Sequence, residues 1–346
     1  MTSRSIKRVG VIGGGSWGSA LGVLLGRNGH RVMMWDLDPD VRADIALHSR
    51  NHRYLPHVEL PSGVSAADDL GEVVGEADLV VVAVPAAGVE LAARSLAPDL
   101  DPEAVVVSAT KGLCPRTGRR MTQVLAESAD LDPARIVALS GPNLALEVVA
   151  GLPSATVVSG PSRRSMCAAL EAFSCPTLRV YSNPDTIGVE LGGALKNVVA
   201  IGAGMNDGLG FGDNTKATLL TRGLAEITRI GVSLGALPAT FRGLSGLGDL
   251  MATSVSVKSR NYRVGKGLGE GRPLGDILAE LGQVAEGVPT TTAAKQLAAR
   301  LGVEAPIADA ISDVISGVVT AREASVRLMQ RAPKDEIDES HVIRPE

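Results

Sequence analysis

Aromatic side chains are scarce: three Phe, three Tyr and two Trp make up 2% of 346 residues. Any core must therefore be built from aliphatic side chains and alanine, and 45% of the chain is hydrophobic, enough for ordinary cores. Cysteine is equally sparse. Cys114, Cys167 and Cys175 form no CxxC pair, which argues against a disulfide framework and for a reducing cytoplasm, with the thiols as filler in packed regions. A strong charge of one sign is lacking too. The formal net charge is −4, which argues against nucleic acid as a partner, because a basic stripe would be expected. Residues 1–8 are polar and basic, and the apolar stretch 9–12 is too short for a signal-peptide core. No apolar run reaches the roughly 18 residues that a membrane helix needs, so no membrane span is expected. His48, His52 and His57 have partly helical spacing, but no fourth ligand stands nearby, so no metal is expected.

What is present is a change of character along the chain. At about 150 residues per domain the length predicts two domains. Short β-branched runs at 8–12, 31–35, 79–84, 104–108, 135–139, 156–159 and 178–181 alternate with alanine- and leucine-rich stretches. Such alternation predicts βαβ units and a mostly parallel sheet. The run 79–84 is apolar on both faces, as a strand covered by helices on either side would be. After about Asn183 the strand signals cease and long Ala-, Leu-, Gly- and Glu-rich segments follow. The expected architecture is an α/β, doubly wound Rossmann domain over 1–185 and an all-α domain over 186–336, with a charged, mobile tail over 337–346.

The first strand runs into Gly13-Gly14-Gly15-Ser16-Trp17-Gly18, and an apolar helix begins there. Gly13, Gly15 and Gly18 form a GxGxxG motif between a strand and a helix. The first allows the turn, the second lets a pyrophosphate approach, and the third lets helix and strand lie close. The free N–H groups of the helix then face the phosphates. The second strand ends at Asp36, about 20 residues on, where a carboxylate can bond the ribose hydroxyls and repel a 2′-phosphate. NAD is thus favoured over NADP, although Arg42 or Arg50 could fold over a 2′-phosphate, and Asp36 or Asp38 could serve only as a helix cap.

Several stretches suit a small anion. Lys111 follows the strand 104–108 at its carboxyl end, where doubly wound folds bind ligands. Ser140-Gly141-Pro142-Asn143 follows the strand 135–139, with Asn143 either a cap or a substrate contact. On a helix, Val189, Gly192, Gly193, Lys196, Val199, Ala200 and Ala203 share one face, on which Lys196 is the only charge. Desolvation there lowers a lysine pKa toward acid–base use. Gly192 and Gly193 admit either a substrate or another helix. Asp249 stands in a glycine-rich turn, and ten residues on comes Ser259-Arg260-Asn261; arginine matches bidentate phosphate contacts, but such a pair taken alone reads first as an ordinary polar stretch of surface.

With these residues assembled, the chain closely resembles the bacterial NAD(P)-dependent glycerol-3-phosphate dehydrogenase family. The resemblance runs from the glycine motif to about Glu336 and is most specific at 13–18, 109–113, 140–148, 181–208, 246–250, 259–261 and 283–287. It implies a site in the cleft between the two domains, a cytoplasmic homodimer, and a supply of glycerol 3-phosphate for phospholipids. It implies that Lys196 is the catalytic acid–base group. Lys111, Gly141, Asn143, Asp249, Ser259, Arg260 and Asn261 would bind substrate. Ser16, Trp17, Ala145, Val284 and Glu286 would contact the cofactor, as would Lys111 and Arg260. The chain departs from the family pattern at Asn143, where Ser or Thr is usual, and at Leu37, where His or Arg is common. Met251-Ala252-Thr253-Ser254 replaces a Thr-Cys-Thr segment, and Tyr262 stands where arginine is common. The expected reaction is reduction of dihydroxyacetone phosphate to sn-glycerol 3-phosphate. The alternatives are a β-hydroxyacid or ketopantoate-reductase-like dehydrogenase on the same plan, whose carboxylate substrates need no phosphate grip, or a non-catalytic cofactor sensor.

Overall fold

The computed structural model describes residues 7–333, 335 and 336. The tail 337–346, expected to be mobile, lies outside the described residues. Strand β1 (Arg8–Ile12) leads into α1 (Ser16–Arg27), β2 (Arg31–Trp35) and α2 (Pro39–His48). A small antiparallel pair follows, β3 (Arg50–Asn51) with β4 (Leu55–Glu59), then β5 (Val64–Ala66), α3 (Leu70–Val74) and β6 (Leu79–Val82). The alternation continues through α4 (Val89–Leu96), β7 (Val105–Ser108), α5 (Met121–Ser128), β8 (Ile136–Ser140), α6 (Ala145–Val149), β9 (Ser154–Ser159), α7 (Arg163–Phe173) and β10 (Leu178–Asn183).

Eight of these strands form one sheet, in the order β10-β9-β8-β7-β6-β1-β2-β5. The pairings are parallel except that of β8 with β9. The doubly wound, mostly parallel reading is thus correct. The side-chain period of two divides the core: Val9, Val11, Leu79 and Val81 pack with α1 and α7 on one face, while Ile12, Val80 and Val82 pack with α3, α4 and α5 on the other. The order reverses at β1, between β2 and β6, which opens a crevice at the carboxyl ends of those strands. Strands β3, β4 and β5 escape the sequence pattern. They are two to five residues long and lie in a stretch broken by Pro56, Pro61 and Gly63, without alternation. His57 lies on β4.

The rest of the described chain is helical: α8 (Thr186–Gly208), α9 (Asp213–Ser233), α10 (Pro238–Phe241), a π-turn (Leu244–Gly248), α11 (Asp249–Val255), α12 (Arg260–Gly269), α13 (Leu274–Leu281), α14 (Gly287–Leu301), α15 (Pro306–Ile315) and α16 (Ala321–Met329). Asp185 starts α8 by accepting the N–H of Gly188 at 2.8 Å and holds the α9–α10 turn through Leu237 N at 2.8 Å. One helix bears on the expectation that no membrane span is present. By length and composition α8 qualifies, since averaging over a window tolerates Glu190 and Lys196. Yet 94% of that window is buried inside the fold. The one-faced stripe around Lys196 is a consequence of this: α8 is buried on all sides from Val189 to Asn206 apart from Glu190, which is half-buried.

A central helix needs close neighbours, and glycine supplies the closeness that few aromatics can. A Cβ on Gly265 of α12 would stand 1.8 Å from the Ile201 carbonyl oxygen of α8, and one on Gly204 would stand 2.0 Å from the Tyr262 oxygen. Backbone meets backbone there, and nothing flexible can yield. Gly265→Ala is expected to destabilise the protein by about 1–3 kcal/mol or more. The urea midpoint measures this, and an unchanged midpoint would refute the contact.

Candidate active site

The phosphate-binding end begins where β1 stops. Gly13 has φ +105°, and its N–H bonds the Trp35 carbonyl at 2.8 Å. A Cβ on Gly18 would lie 1.9 Å from the Gly13 oxygen, so only glycine lets α1 press onto the turn. A Cβ on Gly15 would meet nothing within 4 Å, so that side of the loop is open. Gly15 is the N-cap of α1 and provides no side-chain cap, which leaves first-turn N–H groups for an outside acceptor. The Trp17 Nε1–H is buried and has no partner among the described residues. These residues fit a dinucleotide pyrophosphate: an open cradle, uncommitted donors and the positive end of a helix.

Asp36 closes one edge. Its Oδ2 accepts Gly14 N at 2.6 Å and its Oδ1 accepts Asp38 N at 2.9 Å, so it braces the loop rather than capping α2. Asp38 is the cap, accepting Asp40 N at 2.9 Å. Arg42 is drawn to Asp68 at 2.9 Å and to the Asp36 carbonyl at 2.7 Å, and Arg50 to Glu59 at 3.3 Å. Both arginines that could have met a 2′-phosphate are therefore engaged.

The charged centre lies between the sheet and the helical layer. Lys111 follows β7, Lys196 lies in mid-α8, and Asp249 begins α11 directly after the π-turn, a distortion that often marks a functional site. Asp249 serves both lysines, taking Lys111 Nζ on Oδ2 at 2.7 Å and Lys196 Nζ on Oδ1 at 2.8 Å. Lys111 also donates to the Gly141 carbonyl at 2.6 Å. Lys196 also donates to Thr253 Oγ1 at 2.5 Å, and that hydroxyl bonds Asp249 Oδ1 at 3.2 Å. Lys196 is 5% exposed and Asp249 2%. Burial lowers the Lys196 pKa to about 8 against the raising pull of Asp249, with Lys111 and Arg260 adding to the fall. Burial alone would raise the Asp249 carboxyl, but the two ammonium groups overcome it and hold the pKa below the usual range.

The other expected residues divide into open and engaged groups. Arg260 opens α12, is exposed, and makes no hydrogen bond or ion pair among the described residues. Ser259 caps that helix through Tyr262 N at 3.2 Å. Asn261 is turned inward, accepting Gly287 N and donating to Asn197 Oδ1, each at 2.8 Å. Asn143 is not a cap, since Leu144 precedes α6 without a side-chain bond. Its Nδ2 donates to the Ala155 carbonyl at 2.9 Å, and its Oδ1 is buried with no partner among the described residues. Ala145 opens α6, and Val284 is exposed between α13 and α14. Glu286 reaches across to the sheet, where Oε1 accepts Ala86 N at 3.1 Å, and burial raises its pKa. Gly192 and Gly193 serve packing. A Cβ on the first would meet the Ser245 carbonyl of the π-turn at 2.8 Å, and one on the second would meet Ser140 Oγ at 2.3 Å.

Two participants went unassigned in the sequence reading. Thr253 lies four residues after Asp249, a helical spacing that could have flagged it. Glu190 takes Arg120 Nη1 at 2.5 Å and Thr122 N at 2.8 Å, tying α8 to α5, and no local pattern signals a contact of that range. The histidines meet a carboxylate: the Nδ1 atoms of His48 and His52 lie 3.1 and 2.8 Å from Asp44 Oδ1. Among the described residues no group of three or more His, Cys, Asp or Glu is placed to hold a metal ion.

A Rossmann cradle after β1 and a Lys–Asp–Lys cluster whose Lys111 follows β7, at the same carboxyl edge of the sheet, define a pyridine-nucleotide oxidoreductase. The family described as NAD-dependent glycerol-3-phosphate dehydrogenase matches through its N-terminal part at residues 8–166 and its C-terminal part at 185–325. The chain is 43% identical over 339 residues to the glycerol-3-phosphate dehydrogenase [NAD(P)+] of Geobacillus kaustophilus, covering 98% of each. It is 45% identical over 330 residues to that of Moorella thermoacetica, covering 95% and 98%. The crystal structure of glycerol-3-phosphate dehydrogenase from Coxiella burnetii superposes with a TM-score of 0.90 at 32% identity, over 94% of this chain and 99% of that one. A ketopantoate reductase from Ralstonia eutropha, at 15% identity and TM-score 0.57, shares the fold alone. The chain belongs to the NAD-dependent glycerol-3-phosphate dehydrogenase family.

Replacing Asp249 with Asn removes the charge that raises the Lys196 pKa. In D249N that pKa is expected to fall below about 8 and stability to drop by roughly 3–5 kcal/mol, since two buried ammonium groups lose their counter-charge. Titration of the lysine by NMR or by amine-modification rate measures the first effect, and a pKa at or above the original value would contradict it.

Proposed function

We propose that the chain reversibly reduces dihydroxyacetone phosphate to sn-glycerol 3-phosphate with a nicotinamide dinucleotide. The carrying observation is Lys196, a buried ammonium held by Asp249 at 2.8 Å with its pKa lowered to about 8, in a chain that also carries a dinucleotide cradle. Residues 1–185 would form the cofactor domain and 186–336 the catalytic one, and the resemblance adds a cytoplasmic homodimer supplying phospholipid synthesis.

The dinucleotide supplies the hydride when bound. Lys196 donates a proton to the carbonyl oxygen as negative charge gathers there, and Lys111 adds a second positive charge beside it. Asp249 orients both ammonium groups. Together they carry two positive charges against one negative, so the cleft favours an anion. The guanidinium of Arg260, which makes no hydrogen bond or ion pair among the described residues, has the geometry to grip the substrate phosphate. The unpartnered Oδ1 of Asn143 suits a substrate hydroxyl. Ser259 and Asn261 support this grip from behind, one by capping α12 and the other by bracing it to α14.

Reduction needs the ammonium form of Lys196. The reduction rate is expected to be level below about pH 8 and to fall above it, whereas the reverse oxidation rises through the same pH. K196A should lower kcat by roughly 10²–10⁴ while NADH still binds. Full activity in K196A, or a reduction rate that does not fall on raising the pH, would remove Lys196 from this role.

The engagement of Arg42 and Arg50 by carboxylates, together with Asp36, favours NADH over NADPH. Comparing kcat/KM for the two by absorbance tests this, and an NADPH preference would overturn it.

A further inference from the structure

We infer that Asn51, on the short strand β3, is a positioning residue for the cofactor: it sets the orientation of the peptide between Gly14 and Gly15 and so aims the Gly15 N–H at the pyrophosphate. The inference rests on the dinucleotide reading above, but not on the identity of the substrate.

Three successive glycines, Gly13 to Gly15, have more backbone freedom than any other tripeptide, and a cradle that must present its donors in one direction cannot leave them free. The structure restrains the middle residue at both ends. On one side Gly14 N donates to Asp36 Oδ2 at 2.6 Å. On the other, Asn51 Nδ2 donates to Gly14 O at 2.7 Å and to Ser19 Oγ at 2.8 Å, while Ser19 Oγ itself donates to Gly14 O at 2.9 Å. Asn51 and Ser19 are both fully buried, and Asn51 Oδ1 accepts Tyr54 N at 3.2 Å, so the amide cannot swing away.

The consequence follows from peptide geometry. The Gly14 carbonyl and the Gly15 N–H belong to one planar trans unit and point in opposite directions. Holding the carbonyl inward, toward Asn51 and Ser19, sends the Gly15 N–H outward. That N–H has no acceptor among the described residues, and the side of Gly15 on which a Cβ would stand is open. A peptide flip would instead aim a carbonyl oxygen at the phosphates, where it repels them. Asp36 cannot prevent this alone, since it holds the preceding N–H. The β3–β4 pair therefore has a use in the fold: it carries an amide donor to the buried side of the glycine turn.

The chain provides its own reporter, because its two tryptophans, Trp17 and Trp35, both adjoin this loop. The Kd for NADH is read from quenching of intrinsic fluorescence, in wild type and in three variants. N51A removes the donor. N51D keeps the size but sets a carboxylate against the Gly14 carbonyl. S19A removes the supporting hydroxyl with the least change in volume. The expected result is a rise in Kd of about tenfold or more in N51A, a larger rise in N51D and a smaller one in S19A. The KM for dihydroxyacetone phosphate at saturating NADH should stay near that of wild type, a split that general loss of structure would not produce. Wild-type Kd values in folded N51A or N51D would overturn the inference. Should neither fold, S19A decides, and an unchanged Kd there overturns it equally. Wild-type protein that binds neither NADH nor NADPH would sink the cofactor reading itself. Binding without turnover of dihydroxyacetone phosphate would sink only the reaction, leaving the Kd comparison intact.

Discussion

Two lysines and one aspartate share a space from which water is largely excluded, and much of the structure around them exists to keep them there. Asp249 divides its two oxygens between Lys111 from the sheet and Lys196 from α8, so a single carboxylate joins the two layers. Removing two ammonium groups from water is costly unless they are closely paired. The pairing requires that α11 begin within reach of both. The π-turn before it achieves this, and the turn can lie against α8 only because Gly192 presents no side chain, while Gly246 lets the turn fold back onto Phe241. A feature that looked like local flexibility, a run of glycines before an acid, is a packing device in service of an electrostatic one.

Glycine has the same office elsewhere. With few aromatic rings to fill wide gaps, the helices approach until backbone meets backbone, as at Gly204 and Gly265. The resulting central helix is buried nearly all round, and that burial moves the Lys196 pKa toward neutrality. Composition, packing and acid–base chemistry are thus one chain of cause: small residues allow a central helix, the centre is dry, and a dry lysine is a usable acid.

Much of this was legible before any coordinates. The strand runs fell within a residue or two of the observed strands because parallel strands buried on both faces are uninterrupted β-branched stretches. The glycine motif, Lys111, Lys196 and Asp249 were each marked by local chemistry, an unusual residue in an otherwise uniform setting. Several of the contacts that were missed join residues far apart in the chain. Asn51 grips Gly14 from 37 residues away, Glu190 grips Thr122 from 68, and Glu286 reaches Ala86 across 200. An ordinary asparagine or glutamate carries no sign of its partner when the partner is that distant. The short strands β3 to β5 were lost because two to five residues are too few for a period to show.

Sequence by itself determined the two-part architecture, the place of the dinucleotide cradle and the identity of the charged centre. Each of these depends on the order and spacing of neighbours, through strand and helix periods or through a turn only glycine can make. Tertiary structure decided which side chains are free to act. It turned Asn261 inward, left Arg260 and the Asn143 oxygen without a hydrogen bond among the described residues, removed Asn143 from capping, and committed Arg42 and Arg50 to carboxylates. The reason is physical: a polar group acts on a ligand only with the hydrogen bonds that the fold has left unmade, and that remainder is settled by contacts between residues far apart in the chain.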